Sequence, residues 1–400
     1  MKKKKILVLN CGSSTIKFSI FDVEEKIFCL IGIIDNLGTK NVCAIWKIFN
    51  NSEEKFFFQK NLSYEKSLKF IFELLKNKFF EYYRNIIGIG HRVVHGGDKI
   101  FKTEQITSKI LKQIKLSINF APLHNPKNIL GIESSLKFFP HLSLCNFAVF
   151  DTMFHQTIPK VSFLYAIPYF FYKNYKIRRY GAHGINHFYV TKKSALLLKK
   201  NINTINLISC HLGSGASITA IRNGKSIDTS MGLTPLEGLI MGTRCGDIDP
   251  SIIFYMYEIL GFSILKIKKI LTYKSGLLGI SELSSDFRIL EKQYNINMKI
   301  KFAIKSFCYR ISKYISSYMV ALKGKLHALI FTGGIGENSS FIRKKIIKKI
   351  HFLGFKLDVV KNVKRNFLYY HSIHKKNSIP IFVIRANEEK MIAEETLRFL

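Results

Sequence analysis

The sequence lacks the features that mark secreted, zinc-binding and membrane proteins. Its seven cysteines are odd in number and include no C-x-x-C pair, which argues against a disulfide framework and a zinc site. Near the N-terminus the apolar run Ile6–Leu9 ends at Asn10, whereas a secretory signal needs about 7 to 15 apolar residues. No run approaches the roughly 18 apolar residues of a membrane span. We therefore expect a soluble cytoplasmic protein without a membrane partner.

Acidic residues are scarce as well. The chain has 27 Asp and Glu against 62 Lys and Arg, which gives a formal net charge of +35. Such a charge is typical of proteins that bind nucleic acids, and this alternative predicts a strongly salt-dependent association with duplex DNA. The excess is mostly Lys and is spread along the chain, whereas base-reading proteins concentrate Arg on one element. A coding bias, which also explains the abundant Ile, Phe and Asn, accounts for the charge, so we expect no nucleic-acid partner.

The length and the pattern of apolar residues predict a two-domain protein of the α/β class. A chain of 400 residues exceeds the size at which a single core usually stops growing. Strand and helix patterns alternate along it, which is typical of α/β proteins. The predicted elements include a helix over Leu62–Lys78 and strands over Ile86–Gly90, Phe147–Phe150 and Ile381–Ile384. Asn387 is a suitable N-cap for a final helix that begins with two glutamates.

Two segments, one at the start of the chain and one about halfway along it, share a pattern of strand, Gly/Ser turn and strand. Ile6–Ile20 and Leu207–Ile221 are each predicted to form a β-hairpin. At equal spacing, Asn10, Gly12, Ser13, Ser14 and Ile20 correspond to His211, Gly213, Ser214, Gly215 and Ile221. A repeat this widely spaced predicts a duplicated domain rather than a solenoid.

Three small-residue turns that follow strands are candidates for phosphate binding. The third comes after the strand Ala328–Phe331 and is predicted as a loop over Thr332–Asn338, before a basic helix. Backbone N–H groups in such turns can approach a phosphate closely, because glycine has no Cβ and accepts positive φ. None of the three is a Walker A loop, and each one alone is explained more simply as a tight turn without a ligand. Together they favour a polyphosphate.

Ionisable side chains on loops complete the set of groups needed for phosphoryl transfer. Arg92, at a predicted strand end, could grip a carboxylate or phosphate through two parallel N–H bonds. Arg244 lies in a stretch with more glycines than a core helix or strand tolerates, which predicts a functional loop. The other candidates are two loop histidines and two acids that could hold Mg²⁺, namely His124, His183, Asp151 and Glu388. Positioning and charge neutralisation by such groups supply most of the catalysis in phosphoryl transfer.

The motifs of the chain, taken in order over its whole length, resemble those of the acetate kinase family. They are VLNCGSSTIKF, HRVVHGG, APLHNP, FDTMFHQT, RRYGAHG, HLGSGAS, DTSMGLTPLEGLIMGTR, SGLLGISE, FTGGIGEN and NEE. The resemblance implies the fold shared by acetate and sugar kinases, Hsp70 chaperones and actin, with two ribonuclease H-like domains around a nucleotide cleft. It implies an N-terminal domain over 1–151, with the helix 386–400 packing back near it, and a C-terminal nucleotide-binding domain over 152–385.

The resemblance also implies a role for each matching residue. Asn10 and Glu388 match the Mg²⁺ positions, where Mn²⁺ could substitute. His183 and Arg244 match the residues that stabilise the transition state, Asp151 matches a proton acceptor, and His124 assists at the phosphoryl group. The acetate contacts are Arg92 and an acyl pocket of Val94, Leu123, Ala182 and Pro235. The ATP contacts are Lys17, His211, Leu212, Gly213, Ser214, Gly215, Asp286, Phe287, Arg288, Gly334, Ile335, Gly336, Glu337 and Asn338.

The activity that the resemblance implies is reversible phosphoryl transfer from Mg-ATP to acetate, which gives acetyl phosphate and ADP, in a homodimer. Propionate kinase is an alternative, because Ala182 stands where some members have Phe, and one methylene changes binding by only about 1 to 3 kcal/mol. An ATPase of the actin or Hsp70 kind is a second alternative. It predicts slow ATP hydrolysis without acetate, and it leaves Arg92 and the HRVVHGG segment without a role.

The label of proton acceptor for Asp151 conflicts with the chemistry of the substrate. A carboxylic acid with a pKa near ~4 is already ionised at neutral pH. A general base would therefore have no proton to remove. We predict instead that Asp151 orients Arg92 or a water bound to Mg²⁺.

Overall fold

The computed structural model describes residues 3–12, 14–39, 41–49, 52–58, 62–122, 124–364 and 368–400. Leu123 of the predicted acyl pocket and Ser13 of the first turn lie outside these ranges. The chain divides into two compact units. The first unit comprises Met1–Met153 and Asn387–Leu400, and the second comprises Phe154–Ala386.

Strands and helices follow one another along the described residues of both units. The strands are β1 (Lys5–Cys11), β2 (Ile16–Asp22), β3 (Ile27–Asp35), β4 (Cys43–Ile48), β5 (Glu53–Phe57), β6 (Ile86–Val93), β7 (Glu104–Gln105), β8 (Asn146–Phe150), β9 (Leu207–Leu212), β10 (Ala216–Arg222), β11 (Lys225–Thr229), β12 (Ala328–Thr332), β13 (Tyr370–Ser372) and β14 (Ile381–Ile384). The helices are α1 (Tyr64–Asn77), α2 (Phe80–Tyr83), α3 (Ser108–Leu116), α4 (Asn125–Phe138), α5 (Lys160–Phe163), α6 (Tyr169–Tyr175), α7 (Gly184–Leu197), α8 (Ser251–Glu258), α9 (Ile264–Tyr273), α10 (Gly276–Ser281), α11 (Phe287–Lys292), α12 (Met298–Ala321), α13 (Gly333–Asn338), α14 (Ser340–Lys349), α15 (Val359–Val363) and α16 (Glu388–Leu397). No helix among these residues is long and apolar enough to cross a bilayer.

The sheet of the first unit has the order β5-β4-β3-β2-β1-β6-β8-β7, with β1, β6 and β8 parallel. Alternation along β6 sends neighbouring side chains to opposite faces. His91 bonds Ser135 of α4, whereas Gly90 lies under α16, where an added Cβ would come within 2.3 Å of Thr396 Oγ1. Glycine at position 90 therefore lets α16 pack closely on the sheet. The same alternation places Arg92 on the face that carries α16 and its first residue, Glu388.

The sheet of the second unit repeats this arrangement. Its order is β11-β10-β9-β12-β14-β13, with β9, β12 and β14 parallel and β10 antiparallel to β9. The five strands β11-β10-β9-β12-β14 match β3-β2-β1-β6-β8 in order and direction. The predicted α/β class and the duplicated ribonuclease H-like fold are confirmed.

The two hairpins differ by one residue at the turn. In the first, Cys11 pairs with Ile16 across a four-residue turn, and in the second, Leu212 pairs with Ala216 across a three-residue turn. Both hairpins are confirmed, but the equal spacing predicted beyond the turn is wrong. Ile20 pairs with Leu7 and therefore corresponds to Ala220 rather than to Ile221.

The segment predicted as a loop over Thr332–Asn338 is mostly helical. Residues Gly333–Asn338 form α13 directly after β12. Gly333 makes the sharp change of direction with a φ of +78°, and the Glu337 carboxylate accepts a hydrogen bond from its N–H at 2.8 Å. A side chain from within the segment thus satisfies one of the N–H groups that a helix start leaves unpaired, which favours helix over an open loop.

Candidate active site

Arg92 is surrounded by oxygen acceptors of the first unit. Its Nε and Nη2 groups donate to Asp151 Oδ2 at 3.2 and 2.6 Å, and its Nη1 group donates to Asn10 Oδ1 at 3.2 Å. The Glu388 carboxylate lies 3.6 Å from Arg92 Nε. Of the five N–H groups of a guanidinium, these three hydrogen bonds leave two that can bind a ligand. The structure brings these four predicted site residues together.

Asp151 follows β8 and is buried with one oxygen unsatisfied. Its Oδ1 atom has no hydrogen-bond partner among the described residues. Burial raises the pKa of Asp151 to about 6, while Arg92 opposes this rise and Glu388 adds to it. Burial disfavours the charge of Arg92, but Asp151 and Glu388 raise its pKa well above the usual value. The 2.6 Å contact between Arg92 Nη2 and Asp151 Oδ2 has the geometry of an ion pair.

The oxygen atoms around Arg92 have the chemistry of a Mg²⁺ site. Asn10, Asp151 and Glu388 offer amide and carboxylate oxygens, which Mg²⁺ prefers. The unsatisfied Oδ1 of Asp151 is the kind of buried acceptor that a cation or a ligand donor would complete. Within the described ranges, no group of three or more His, Cys, Asp or Glu could hold a metal ion alone. The residues fit a Mg²⁺ ion that takes its remaining ligands from water and phosphate.

Lys17 lies on the strand opposite Asn10. The β1–β2 register pairs these two residues directly. The Lys17 ammonium is 3.7 Å from Glu389, the neighbour of Glu388 in the first turn of α16. Lys17 is thus a half-exposed cation at the same end of the sheet, as a nucleotide contact would require.

The histidines around Arg92 have structural roles in the first unit. His91 is buried and bonds Asn146 at 2.8 Å through Nε2, while His95 accepts from the Gly97 N–H at 2.9 Å through Nδ1. His124 lies in the turn before α4, at the N-cap position of that helix. Val94 of the predicted acyl pocket is buried, and its N–H donates to Asn128 at 3.1 Å.

His183 is held rigidly at the start of α7 in the second unit. Its backbone has a φ of +57°, its Nδ1 atom is 3.0 Å from Ser217 Oγ, and its ring stacks on His211 at 4.2 Å. The Nδ1 atom is therefore occupied by Ser217 of the β9–β10 hairpin.

Arg244 faces the same hairpin turn as His183. A Cβ placed on Gly215 would lie 3.5 Å from both Arg244 Nη1 and His183 Nε2. Within the described part of the chain, Arg244 has no carboxylate partner, since Nη1 bonds the Pro235 carbonyl at 3.1 Å and the Met241 sulfur. A half-buried guanidinium without an acid is well placed to bind an anion.

The loop that carries Arg244 runs from 230 to 250 without a helix or strand, as its glycines predicted. Arg179 anchors it, since Nη1 donates to the carbonyls of Thr229 and Ser230 and Nη2 donates to Glu237 at 2.6 Å. The Gly232 carbonyl also accepts hydrogen bonds from the Tyr180 and Gly181 N–H groups. One loop therefore supports both Arg244 and the segment that leads to His183.

The predicted nucleotide segments of the second unit adjoin one another. A Cβ on Gly213 would be 3.8 Å from the Gly334 N atom, so the β9–β10 turn lies next to the start of α13. Gly242 donates to the Ser214 carbonyl at 2.9 Å, and a Cβ on Gly242 would be 3.5 Å from Ser285, next to Asp286. Asp286 caps α11 and pairs with the exposed Arg288. The Glu337 Oε1 atom accepts hydrogen bonds from the Gly333 and Ala386 N–H groups, and its nucleotide contact stays a prediction.

Ala182 and Pro235 lie in the second unit. Ala182 belongs to the core cluster of that unit, and its carbonyl lies 3.0 Å from His155 Nε2. Pro235 contributes its carbonyl to Arg244.

Sequence reasoning missed the residues behind His183. Ser217 contacts both His183 and His187, and Asn186 donates to His211 Nδ1 at 2.8 Å. One signal could have found His187, because it follows His183 by four residues, and residues at this spacing in a helix lie on the same face. Nothing in the local sequence links Ser217 to either histidine.

Comparison with known proteins agrees with this geometry. The sequence profile of the Acetokinase family matches residues 5–394. The chain belongs to the acetokinase family. Proteins named acetate kinase from Buchnera aphidicola subsp. Cinara cedri and Wigglesworthia glossinidia brevipalpis are 57% and 51% identical to it, and each match covers 99% or more of both chains.

Solved structures of the family have the same fold. A propionate kinase from Francisella tularensis superposes with a TM-score of 0.92 at 44% identity. The acetate kinase from Porphyromonas gingivalis superposes with a TM-score of 0.89 at 35% identity. Each comparison covers 99% of this chain and 99% of the other. Members of the family with either acid in their name therefore share the architecture of this chain.

Proposed function

We propose that this protein is an acetate kinase, which transfers the γ-phosphoryl group of ATP to the carboxylate of acetate and gives acetyl phosphate and ADP. The observation that carries the proposal is the position of Arg244. This guanidinium has no acid partner within the described residues and lies with His183 at the glycine turn between β9 and β10. That arrangement suits a phosphoryl group whose oxygens carry negative charge.

Arg92 binds the acceptor acid. Asp151 and Asn10 occupy three of its N–H groups, and the remaining two match the two oxygens of a carboxylate. Lys could not replace it, because an ammonium group does not offer a planar pair of donors. The contacts of Arg92 thus hold the acid with its oxygens oriented.

The reaction is a direct in-line displacement at phosphorus. A carboxylate oxygen forms the new bond to the γ-phosphorus while the bond from that phosphorus to the bridging oxygen of ADP breaks. The acid enters ionised, so no proton moves. Arg244 and His183 donate hydrogen bonds to the oxygens of the transferred group, where charge is concentrated in the transition state.

Asn10, Asp151 and Glu388 would hold a Mg²⁺ ion beside Arg92 in the first unit. When bound, this ion neutralises phosphate charge and polarises the phosphoryl oxygens. We assign Asp151 the role of holding Arg92 in place, since its Oδ2 atom accepts two hydrogen bonds from that side chain. The acid is already ionised, so Asp151 has no proton to take from it.

The test is to trap acyl phosphate with hydroxylamine. The purified protein is incubated with Mg-ATP and acetate, propionate or butyrate, and the hydroxamate is measured by its iron complex. We expect product with acetate, and much less product from Arg92→Ala at the same acetate concentration. If no acid gave a hydroxamate and the protein hydrolysed ATP without any added acid, the result would instead identify an ATPase of the actin kind.

Propionate is the second candidate substrate. Ala182 is small, and the propionate kinase of Francisella tularensis is similar to this chain over the full length. One extra methylene changes discrimination by only about 1 to 3 kcal/mol. We expect propionate to be phosphorylated with a kcat/KM within roughly 200-fold of that for acetate.

We propose further that the protein is a cytoplasmic homodimer. Helix α8 is apolar, yet none of its residues is buried, and Phe254, Tyr255 and Leu265 of the α8–α9 region are exposed. A second copy that covers this surface would remove it from water. Sedimentation should show a dimer that Phe254→Glu dissociates, whereas Phe49→Glu, at another exposed aromatic residue, should leave the dimer intact.

A further inference from the structure

A chain of hydrogen bonds leads from His183 into the core of the second unit. Ser217 Oγ lies 3.0 Å from His183 Nδ1 and 2.8 Å from His187 Nε2. His187 Nδ1 lies 2.9 Å from Ser209 Oγ. Ser209, Ser217 and His187 are fully buried. The chain therefore has a fixed end inside the protein and its other end at the candidate active site.

The protons of this chain can be placed by counting donors. A serine hydroxyl has one proton, so Ser217 can donate to only one of the two histidines and must accept from the other. If Ser217 donated to His187, then His187 Nδ1–H would donate to Ser209. The Ser209 proton would then have no acceptor, because within the described residues its hydroxyl has no other partner. A buried donor left without an acceptor is costly.

The opposite direction satisfies every donor of the chain. The Ser209 hydroxyl donates to His187 Nδ1, His187 Nε2–H donates to Ser217, and Ser217 donates to His183 Nδ1. This arrangement requires a neutral His187, and burial keeps its pKa well below the usual value, with His155 and His211 adding to the effect. A neutral imidazole carries one proton, as the chain demands.

We propose that Ser209, His187 and Ser217 are positioning residues that fix His183 in the tautomer with its proton on Nε2. The proposal rests on the proposed function, because the role of His183 as a donor to the transferred phosphoryl group belongs to it. The Nε2 atom is the ring nitrogen that lies at the Gly215 turn, which Arg244 Nη1 also approaches. An imidazole with the proton on Nδ1 would present a lone pair there and repel the phosphoryl oxygens. The tautomer thus decides whether His183 stabilises or opposes the reaction.

The test is the ¹⁵N spectrum of the histidine rings in the full-length protein, with His183 assigned by the signals that disappear in His183→Gln. We expect a pyrrole-like Nε2 and a pyridine-like Nδ1 for His183 in the wild type. Ser217→Ala should give a mixture of tautomers, and Ser217→Thr, which keeps the hydroxyl, should restore the wild-type pattern. Ser226→Ala is the matched control, since it removes an equally buried hydroxyl 2.9 Å from His155 Nδ1.

Kinetics provides a second readout. Ser217→Ala should lower kcat by roughly 10- to 100-fold, the range known for outer partners that orient metal-bound histidines, with KM for acetate unchanged because Arg92 is untouched. A wild-type His183 with its proton on Nδ1, or a Ser217→Ala protein that keeps the wild-type tautomer, would overturn the proposal. The spectrum needs no enzymatic turnover, so a protein with the expected tautomer but without acyl phosphate formation would contradict the proposed function alone.

Discussion

Arg92 donates two hydrogen bonds to a single oxygen of Asp151, and the other oxygen of that carboxylate is buried without a partner among the described residues. The pairing explains how an arginine keeps a fixed orientation while two of its N–H groups remain for substrate. For the proposed reaction, which moves no proton, we infer that the Asp151 carboxylate acts on the substrate through the Arg92 guanidinium.

A double-mutant cycle tests this relationship. We expect Arg92→Ala to raise KM for acetate by tenfold or more, since a hydrogen-bonded charge contributes about 1.5 to 3 kcal/mol. Asp151→Asn should lower kcat/KM when Arg92 is present but have much less effect in the Arg92→Ala background. The reason is that the effects of substitutions at two residues in contact do not add. Steady-state kinetics on the four proteins provides the measurement.

The control for this cycle pairs Asp151→Asn with Arg244→Ala. Arg244 makes its hydrogen bonds within the second unit, so the two effects should add to within about 0.5 kcal/mol. If Asp151→Asn lost as much activity without Arg92 as with it, Asp151 would have a role of its own.

The metal requirement should depend on one of two neighbouring glutamates. Glu388 faces Arg92 at 3.6 Å, whereas Glu389 pairs with Lys17 at 3.7 Å. Glu388→Gln should raise the Mg²⁺ concentration for half-maximal activity on the order of tenfold, as for other changes near a bound metal. Mg²⁺ titrations at constant ATP give this value. In Glu389→Gln the Mg²⁺ dependence should stay within about twofold, and equal shifts in both variants would argue against Glu388 as a ligand.

The Arg179–Glu237 pair should stabilise the loop that carries Arg244. Both side chains are largely buried and lie 2.6 Å apart. Glu237→Gln should lower the free energy of unfolding by about 1.5 to 3 kcal/mol, because a charged hydrogen bond is weakened. It should also reduce kcat, because the loop supplies the Pro235 carbonyl to Arg244.

Urea unfolding and kinetics measure the two effects of Glu237→Gln. Lys115→Gln is the control, since it removes an exposed ion pair with Glu133 and should cost less than about 1 kcal/mol. Unchanged kcat in Glu237→Gln would show that the loop does not need this anchor for catalysis.

Buried histidines should make the protein sensitive to acid. Burial lowers the pKa of His91 to about 4, although the bond to Asn146 opposes the shift. The unfolded chain has a histidine pKa near 6.5 and takes up protons first as the pH falls. The stability from a neutral His91 is therefore complete above about pH 6.5 and is lost progressively as the pH falls toward 4.

Urea unfolding at different pH values measures this loss. Between roughly pH 7 and pH 5, His91 alone should lower the free energy of unfolding by about 2 kcal/mol. The difference should be smaller in His91→Gln, which cannot take up a proton, and unchanged in His351→Gln at an exposed position. An identical pH dependence of wild type and His91→Gln would exclude His91 as a source of acid sensitivity.

The sequence alone was sufficient for the fold class, the two hairpins and most residues of the candidate site. The periodicity of apolar residues in strands and helices can be read from neighbouring residues in the sequence. Glycine-rich turns can be recognised because glycine adopts backbone conformations that other residues avoid. The motif around Arg92 likewise predicted an anion-binding arginine, which the structure places among Asn10, Asp151 and Glu388. The length of a hairpin turn depends on which residues of the two strands pair, and a short motif does not specify that pairing. The one-residue difference between the two turns was therefore visible only in the strand register.

Tertiary structure decided which partner each functional side chain has. Asp151 lies 59 residues from Arg92, and Ser217 lies 34 residues from His183, yet both contacts are direct hydrogen bonds. Such contacts depend on strand order, on the face to which alternation sends a side chain, and on glycines such as Gly90 that let a helix approach. The sequence alone shows that positions 92 and 183 carry a guanidinium and an imidazole. Their orientation and the proton position that we propose for His183 come from residues that only folding brings near.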